Sequence, residues 1–325
     1  MDTHYGSPGP ALEEDKTHLL SPPRADIRIQ LFGSITVRRA DATLRANELG
    51  GTKPRQILAM LALNLGVPVS KDRLIELLWG ERAPAAALPT LESYVSILRR
   101  HLQPGAGRHG PLQTTTGGYL LDRRVAEVDH DRFGSLVARA ERGRPQDRLR
   151  LLRTALDLAS APLFADETDL PWAADERARN AADVTATQVL AAEAAAARSL
   201  SELSIELARA ALRSESLNER AWTALVLGLE QAGRPGEGLQ HYERFRRLLD
   251  QELGCSPGRA LRDAHARLLQ ATGGDDDELA DVVSALLLLH DRMHHPAELP
   301  PPAPESLSHA GEMLDAFLRR AIAIA

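Results

Sequence analysis

Apolar positions in the first third of the chain repeat at helical spacing in three successive stretches. The third stretch, residues 88–102, places apolar residues three and four positions apart, which predicts one buried stripe along a helix. The residues of that stripe are Leu88, Leu91, Val95, Leu98 and Leu102. The opposite face of this helix carries Ser93, Ser96, Ile97 and Arg100. A helix with an apolar back and a short polar, basic front can lie in the major groove of DNA.

Two shorter helices are predicted before this one. Thr52 is placed to cap the first, which tolerates Pro54 in its first turn and stops at Gly66. Ser70 is placed to cap the second, which ends at Trp79. Three helices in close succession, the last with a polar front, are typical of a helix-turn-helix DNA-binding unit.

Strand patterns flank the three helices. Residues 27–33 and 35–38 alternate apolar and polar side chains, and residues 44–49 form a further candidate, so a small antiparallel sheet is predicted first. After the third helix, residues 112–121 place two glycines between two short runs, which predicts a β-hairpin. This order of elements indicates a winged helix-turn-helix, with the hairpin as its wing.

From residue 129 onward the pattern predicts helix after helix. The expected spans are 129–142, 145–159, 172–198, 201–213, 218–232, 234–253 and 257–271. Much of the tetratricopeptide spacing is present at Trp222, Leu225, Leu229, Gly233, Gly238, Tyr242 and Phe245. About one repeat of 34 residues earlier, small side chains stand at Ser204, Ala208 and Ala211. An ordinary helical bundle is the alternative.

The predicted fold is mainly α with a small β component: an N-terminal winged helix-turn-helix followed by an all-α, tetratricopeptide-like domain. We expect a disordered arm over 1–24, a DNA-binding domain over 25–125, a helical domain over 126–271 and a tail with two amphipathic helices over 272–325. Aromatic residues make up only 4% of the chain, which favours helix over sheet.

The net charge of −6 is divided unevenly along the chain. Residues 24–125 hold 15 Lys or Arg and 8 Asp or Glu, whereas residues 126–325 hold 23 and 33. The predicted winged helix is therefore the basic part, as phosphate binding requires. A single cysteine, Cys255, excludes an internal disulfide and agrees with a cytoplasmic location. Neither a bilayer-length apolar run nor a signal-peptide pattern is present, so no membrane role is expected.

The front of the third helix offers several groups to DNA. Ser93 and Ser96 can hydrogen-bond bases or phosphate. Ile97 can contact a thymine methyl group, and Arg100 can reach guanine or phosphate, with Arg99 beside it. The alternative is a set of solvated residues on a surface helix.

Two further groups of residues suit phosphate. Thr114, Thr115 and Thr116 lead into the wing, where they can bond phosphate or are merely good strand formers. Lys53 and Arg55 stand at a helix N-terminus, where backbone N–H groups also attract phosphate. For that pair a solvated helix end is the alternative.

An enzymatic or metal-binding role has little support in the sequence. His290 and His294 have the spacing of two metal ligands on a helix, but a third ligand is not evident. Asp166 and Glu167 are more typical of a helix start than of an acid/base pair. A phosphate-binding loop of the Gly-x-x-x-x-Gly-Lys-Ser/Thr type is absent. We therefore expect neither catalysis nor a cofactor.

Several segments in combination resemble one protein family. They are residues 52–59, 69–80, 90–100 and 117–121 in the winged helix, and residues 129–133 and 252–258 at the ends of the helical half. They are similar to the Streptomyces antibiotic regulatory protein family, whose members join an OmpR-type winged helix, the effector domain of two-component systems, to a bacterial transcriptional activation domain. The resemblance covers about residues 26–271. Glu92 departs from the family pattern, in which Gln is common.

The resemblance implies an activator of an antibiotic or other biosynthetic gene cluster. Such proteins bind tandem direct repeats in double-stranded DNA as head-to-tail dimers and recruit RNA polymerase holoenzyme through sigma factor region 4 and other subunits. The residues expected to contact DNA are Lys53, Arg55, Thr90, Ser93, Ser96, Ile97, Arg99, Arg100, Thr114, Thr115 and Thr116. The alternative is a tetratricopeptide-like interaction scaffold whose winged helix binds protein; salt-dependent binding of a promoter fragment would separate the two.

Overall fold

The computed structural model describes residues 27–40, 42–106, 110–167 and 170–272. These residues divide into two compact units. The first contains residues 27–30 and 35–128, and the second contains residues 31–34 and the described residues from 129 onward. The predicted arm over 1–24 and all but the first residue of the predicted tail lie outside the described residues.

The first unit begins and ends with strands of one sheet. These strands are β1 (Ile27–Gln30), β2 (Thr36–Arg39), β3 (Ala42–Leu44) and β7 (Ala126–Val128). The sheet order is β3-β2-β1-β7, with β7 parallel to β1 and the other neighbours antiparallel. Ile27, Ile29 and Val37 are buried, as the alternation predicts. The third predicted strand, over 44–49, is instead the end of β3 and a short 3-10 helix, Ala46–Leu49.

Three helices follow, α1 (Thr52–Leu63), α2 (Lys71–Trp79) and α3 (Ala87–Leu102). The apolar stripe of α3 faces the core at four of its five predicted positions, Leu91, Val95, Leu98 and Leu102. Leu88 is the exception, because it lies in the first turn at the edge of the stripe and is 45% exposed. Ala87 is the buried residue of that turn.

The two predicted helix caps have different outcomes. Ser70 caps α2, since its hydroxyl accepts a hydrogen bond from the backbone N–H of Arg73 at 3.1 Å. Thr52 is not a cap but the first residue of α1. The chain enters α1 through Gly50 and Gly51, with φ values of 85° and 97° that residues with a Cβ rarely adopt. Glycine geometry thus takes the place of a side-chain cap.

The predicted wing is a three-stranded sheet in the structure. Its strands are β4 (Val69–Ser70), β5 (Leu112–Thr115) and β6 (Gly118–Leu121), in the order β4-β6-β5. The hairpin turns at Thr116 and Gly117, where Gly117 has a φ of 79°. Gly118 approaches the backbone of Val69 so closely that a Cβ would lie 2.3 Å from its carbonyl oxygen. The wing is therefore tied to the residues that precede α2.

The described part of the second unit is helical. Its helices are α4 (Asp129–Arg142), α5 (Pro145–Leu158), α6 (Ala174–Ala196), α7 (Ser201–Ser214), α8 (Glu219–Gln231), α9 (Pro235–Leu253) and α10 (Arg259–Thr272). Each of the seven predicted helices is present. Together with the winged helix they confirm the predicted fold class, mainly α with small sheets.

The tetratricopeptide-like spacing corresponds to close helix packing. Ser204 and Ala208 of α7 are fully buried, and the Ser204 hydroxyl lies within hydrogen-bond distance of the carbonyl oxygens of Ala192 (3.0 Å) and Ala224 (3.2 Å). Gly238 of α9 is equally tight, because a Cβ there would lie 2.7 Å from Leu268. Small residues at these positions let neighbouring helices approach each other.

Residues 31–34 belong to the helical unit by their contacts. The Asp129 carboxylate accepts hydrogen bonds from the backbone N–H groups of Leu31 (2.8 Å) and Phe32 (3.1 Å). Phe32 also forms a β-bridge with Leu163 and an edge contact with the ring of Phe133. Burial outweighs these hydrogen bonds and raises the pKa of Asp129 to about 6.

Candidate nucleic-acid interface

The front of α3 is polar and accessible over most of its length. Ser93, Ser96 and Arg100 are exposed, and Thr90 is half-buried. The hydroxyls of Thr90, Ser93 and Ser96 each donate to the carbonyl oxygen four residues earlier, at 2.8, 3.0 and 2.9 Å. In this arrangement the hydroxyl oxygens keep acceptor capacity toward an outside donor, such as a cytosine amino group.

Ile97 differs from the sequence expectation of an open front. It is half-buried, and a Cβ at Gly50 would lie 2.2 Å from its Cγ2 atom. The helical spacing predicted that this side of α3 is exposed to solvent. The turn before α1 covers part of it instead, so Ile97 stands at the edge of the accessible face.

The two adjacent arginines of α3 have different surroundings. Arg99 donates from Nη2 to Thr114 Oγ1 at 2.7 Å and from Nε to the Leu112 carbonyl oxygen at 3.2 Å. Its guanidinium also lies 5.8 Å from the ring centroid of Tyr119. Arg100 is exposed and has no hydrogen bond or ion pair to any described residue. Arg99 thus holds the wing against α3, while Arg100 keeps all five N–H donors for a ligand.

The three threonines of the wing are not equivalent. Thr114 is exposed and its hydroxyl already accepts from Arg99. Thr116 is exposed in the turn beside Gly117. Thr115 is half-buried, and its Oγ1 has no hydrogen-bond partner among the described residues. Thr116 is therefore the most accessible of the three.

The N-terminus of α1 is tied to α2 by a lysine. Lys53 Nζ donates to the Leu78 carbonyl oxygen at 2.7 Å and to Gln56 at 3.3 Å, and it lies 6.0 Å from the Trp79 ring. Arg55 is half-buried and has interactions of its own. A phosphate at this helix end would therefore compete with contacts that the protein already makes.

One ion pair in this region was missed by the sequence analysis. Lys71, the first residue of α2, lies 2.6 Å from Glu92 of α3 and 5.7 Å from the ring of Tyr119. The hydrogen bond to Glu92 is the largest cause of the raised pKa of Lys71. The departure of Glu92 from the family pattern was the available clue, because a carboxylate on a helix that is expected to face DNA needs a compensating cation.

No group of three or more His, Cys, Asp or Glu side chains in the described ranges could hold a metal ion. The histidines at 290 and 294 lie outside those ranges. Among the helices that the structure describes, none is long and apolar enough to cross a membrane.

Comparison with known families supports the order of a winged helix followed by a helical domain. Residues 48–121 match the family "Transcriptional regulatory protein, C terminal", and residues 128–269 match the "Bacterial transcriptional activator domain". Among solved structures, EmbR of Mycobacterium tuberculosis, in complex with a low-affinity phosphopeptide, is similar with a TM-score of 0.65 and 27% identity. The similarity covers 82% of this chain and 72% of that one.

Three relatives from Streptomyces are similar in sequence. Regulatory protein AfsR of Streptomyces coelicolor is 32% identical over 90% of this chain, which spans only 28% of that protein. Transcriptional regulator RedD of the same species is 30% identical over 80% of this chain and 74% of its own length. Regulatory protein DnrI of Streptomyces peucetius is 30% identical over 72% of this chain and 89% of its own length. The chain therefore belongs to the Streptomyces antibiotic regulatory protein family of transcriptional regulators.

Proposed function

We propose that this regulator is a sequence-specific DNA-binding activator that places α3 in the major groove and its wing on the neighbouring backbone. The observation that carries the proposal is the pairing of an exposed polar face on α3 with a wing that Arg99 fixes beside it. Arg100, Ser93 and Ser96 are the groups that would read base edges or hold phosphate. Thr116 would contact phosphate from the wing.

The likeness to regulators from Streptomyces supports control of a secondary-metabolite gene cluster. We assign DNA binding to the first unit, residues 27–30 and 35–128, and activation to the second unit, residues 31–34 and the described residues from 129 onward. On tandem direct repeats, two copies would bind head to tail. Surfaces on the loop 81–87 and on the helical unit would then contact RNA polymerase holoenzyme, including sigma factor region 4. These assignments rest on the family.

Footprinting on the promoters adjacent to the gene tests DNA binding. The full chain should protect two direct repeats, and its affinity for a duplex carrying them should fall steeply as salt increases. A duplex with both repeats scrambled is the matched control. Equal affinity for the two duplexes at every salt concentration would contradict sequence-specific binding and favour the protein-scaffold alternative.

Activation is tested separately by transcription with purified RNA polymerase holoenzyme. Adding the full chain should increase transcripts from the repeat-bearing promoter and leave the scrambled promoter unchanged. Specific binding without a rise in transcripts would contradict the activator role while leaving the DNA-binding role intact.

A further inference from the structure

The helical unit contains a groove of about 630 Å³ lined by residues of α7, α8 and α9. Its apolar lining includes Trp222, Leu225 and Leu248. Trp222 is held in place, because its Nε1 donates to the carbonyl oxygen of Ser216 at 2.8 Å and its ring stacks on Phe245 at a centroid distance of 5.3 Å. The groove therefore has a fixed apolar lining that can receive hydrophobic side chains.

The same groove is strongly basic. Its lining includes four exposed arginines, Arg209 and Arg213 from α7 and Arg244 and Arg247 from α9. Within the part of the chain that the structure describes, no carboxylate lines it. The nearest acidic partners are loose, at 3.9 Å for Arg209 to Glu237 and 3.7 Å for Arg247 to Glu243. An occupant should therefore carry negative charge.

One histidine of the groove has an unused polar atom. His241 lies 5.9 Å from the Trp222 ring centroid, and its buried Nδ1 has no hydrogen-bond partner among the described residues. Burial, followed by the charges of Arg209 and Arg244, lowers the pKa of His241 and so favours its neutral form. A neutral ring can accept or donate a hydrogen bond to a polar occupant.

We propose that residues 275–289 of this same chain dock in the groove as a cis-acting segment. The segment holds five carboxylates and no Lys or Arg. Four of the carboxylates are consecutive, at 275–278, and their negative charge is complementary to the positive charge of the arginines. They precede an apolar run over 282–289, in which Val282, Leu286 and Leu289 have helical spacing and suit the apolar lining. Charge and apolar surface thus occur together in both partners.

The helix α10 ends at Thr272, three positions before the segment begins. Arg267 of α10 pairs with Glu230 of α8 at 2.6 Å, and Leu268 lies against Gly238 of α9. The helix that leads to the segment therefore packs on two of the helices that form the groove. The two residues between 272 and 275 allow a span of about 10 Å. The apolar run would cover about 12 Å as a helix, close to the roughly 15 Å between positions 241 and 251 along α9.

Photo-crosslinking in the full chain tests this docking. A benzophenone amino acid replaces Leu248, and the crosslinked peptides are identified by mass spectrometry. We expect a crosslink within one chain to the peptide that contains residues 275–289. The same amino acid at Arg153, an exposed residue of α5 outside the groove, is the control and should not yield that product. Crosslinks only between two chains, or only to other segments, would overturn the proposal.

A charge exchange tests whether the arginines select the segment. Arg244→Glu with Arg247→Glu should reduce the intramolecular crosslink about tenfold. Adding Asp276→Arg with Asp277→Arg should restore it. Circular dichroism of each variant checks that the helical unit is folded. We expect all four substitutions to leave it folded, because the two arginines are exposed and the two aspartates belong to the segment itself. An intramolecular crosslink yield that is the same in the unmodified chain and in both sets of variants would overturn the proposal.

Discussion

The guanidinium of Arg99 lies over the ring of Tyr119, 5.8 Å from its centroid, and also bonds Thr114. These contacts join the third helix to both strands of the wing hairpin. Arg100, one position later, is exposed and has no partner among the described residues. Two adjacent residues of the same type therefore have separable effects, one on the shape of the binding surface and one on the ligand.

Replacing Arg100 by Ala should weaken binding to repeat-bearing DNA by about 1–3 kcal/mol and leave the melting temperature unchanged. The reason is that its exposed guanidinium contacts no described residue, so the folded protein loses nothing. Fluorescence anisotropy at moderate salt measures the affinity. An unchanged affinity would mean that the face of α3 assigned to DNA is the wrong one.

Replacing Arg99 by Ala should lower the free energy of unfolding by about 1–2 kcal/mol, since hydrogen bonds to Leu112 and Thr114 are lost. Backbone amides of β5 and β6 should exchange with solvent faster than in the Arg100→Ala protein, which is the matched control. Hydrogen exchange read by mass spectrometry makes the comparison. Equal exchange in both variants would show that Arg99 does not hold the wing.

Replacing Glu92 by Gln should strengthen binding to every duplex by about 0.5–1 kcal/mol, because a carboxylate that repels phosphate is removed. The amide can still accept from Lys71, whose raised pKa should fall back toward its ordinary value. Glu76→Gln, an exposed residue of α2 paired with Arg73, is the control for net charge. A loss confined to the repeat-bearing duplex would instead identify Glu92 as a base-reading residue.

Replacing Gly50 by Ala should destabilise the first unit more than replacing Gly51 by Ala. Both positions have positive φ and cost about 1–2 kcal/mol in strain, but only the Gly50 Cβ would meet a neighbour, 2.2 Å from Ile97. The additional cost should be about 1–3 kcal/mol. Urea unfolding measures both variants. If Ile97→Ala does not reduce the cost of Gly50→Ala, the two residues are not in contact.

The raised pKa of Asp129 should make the free energy of unfolding depend on pH. Its folded pKa is raised to about 6 from an ordinary 3.8, so between these values the folded protein binds the proton that the unfolded chain has lost. Its contribution is therefore complete below the lower value and is lost as pH rises through the higher one. Relative to Asp129→Asn, the protein should lose about 2–3 kcal/mol of unfolding free energy between pH 4 and pH 7. A pH-independent difference in urea titrations would contradict this.

The helical half was predictable because its information is local. Amphipathic spacing and the breaks at Pro and Gly define α4 to α10 without reference to distant residues. The strand β7 was missed, since three residues give no period and its partner β1 is about a hundred residues away in sequence. Its existence depends on pairing that only the folded chain brings about.

The candidate DNA-contacting residues show the same limit. Periodicity correctly placed Ser93, Ser96 and Arg100 on an exposed face of α3. It could not show that Lys53 reaches a carbonyl oxygen of α2, or that Ile97 is partly covered by the turn at Gly50. Those contacts join segments that are distant in sequence, so side-chain chemistry alone does not reveal which cations remain available to DNA.

The chain passes between its two units before and after residues 31–34, and again at residue 129. A cut at 128 would leave a helical fragment whose Asp129 carboxylate has lost the N–H groups of Leu31 and Phe32, and whose Leu163 has lost its bridge partner. The helical unit is thus built from two separate stretches of the sequence. Chimeras that exchange activation halves between related regulators should keep residues 31–34 and the helical half from the same parent, so recombination at one junction is disfavoured.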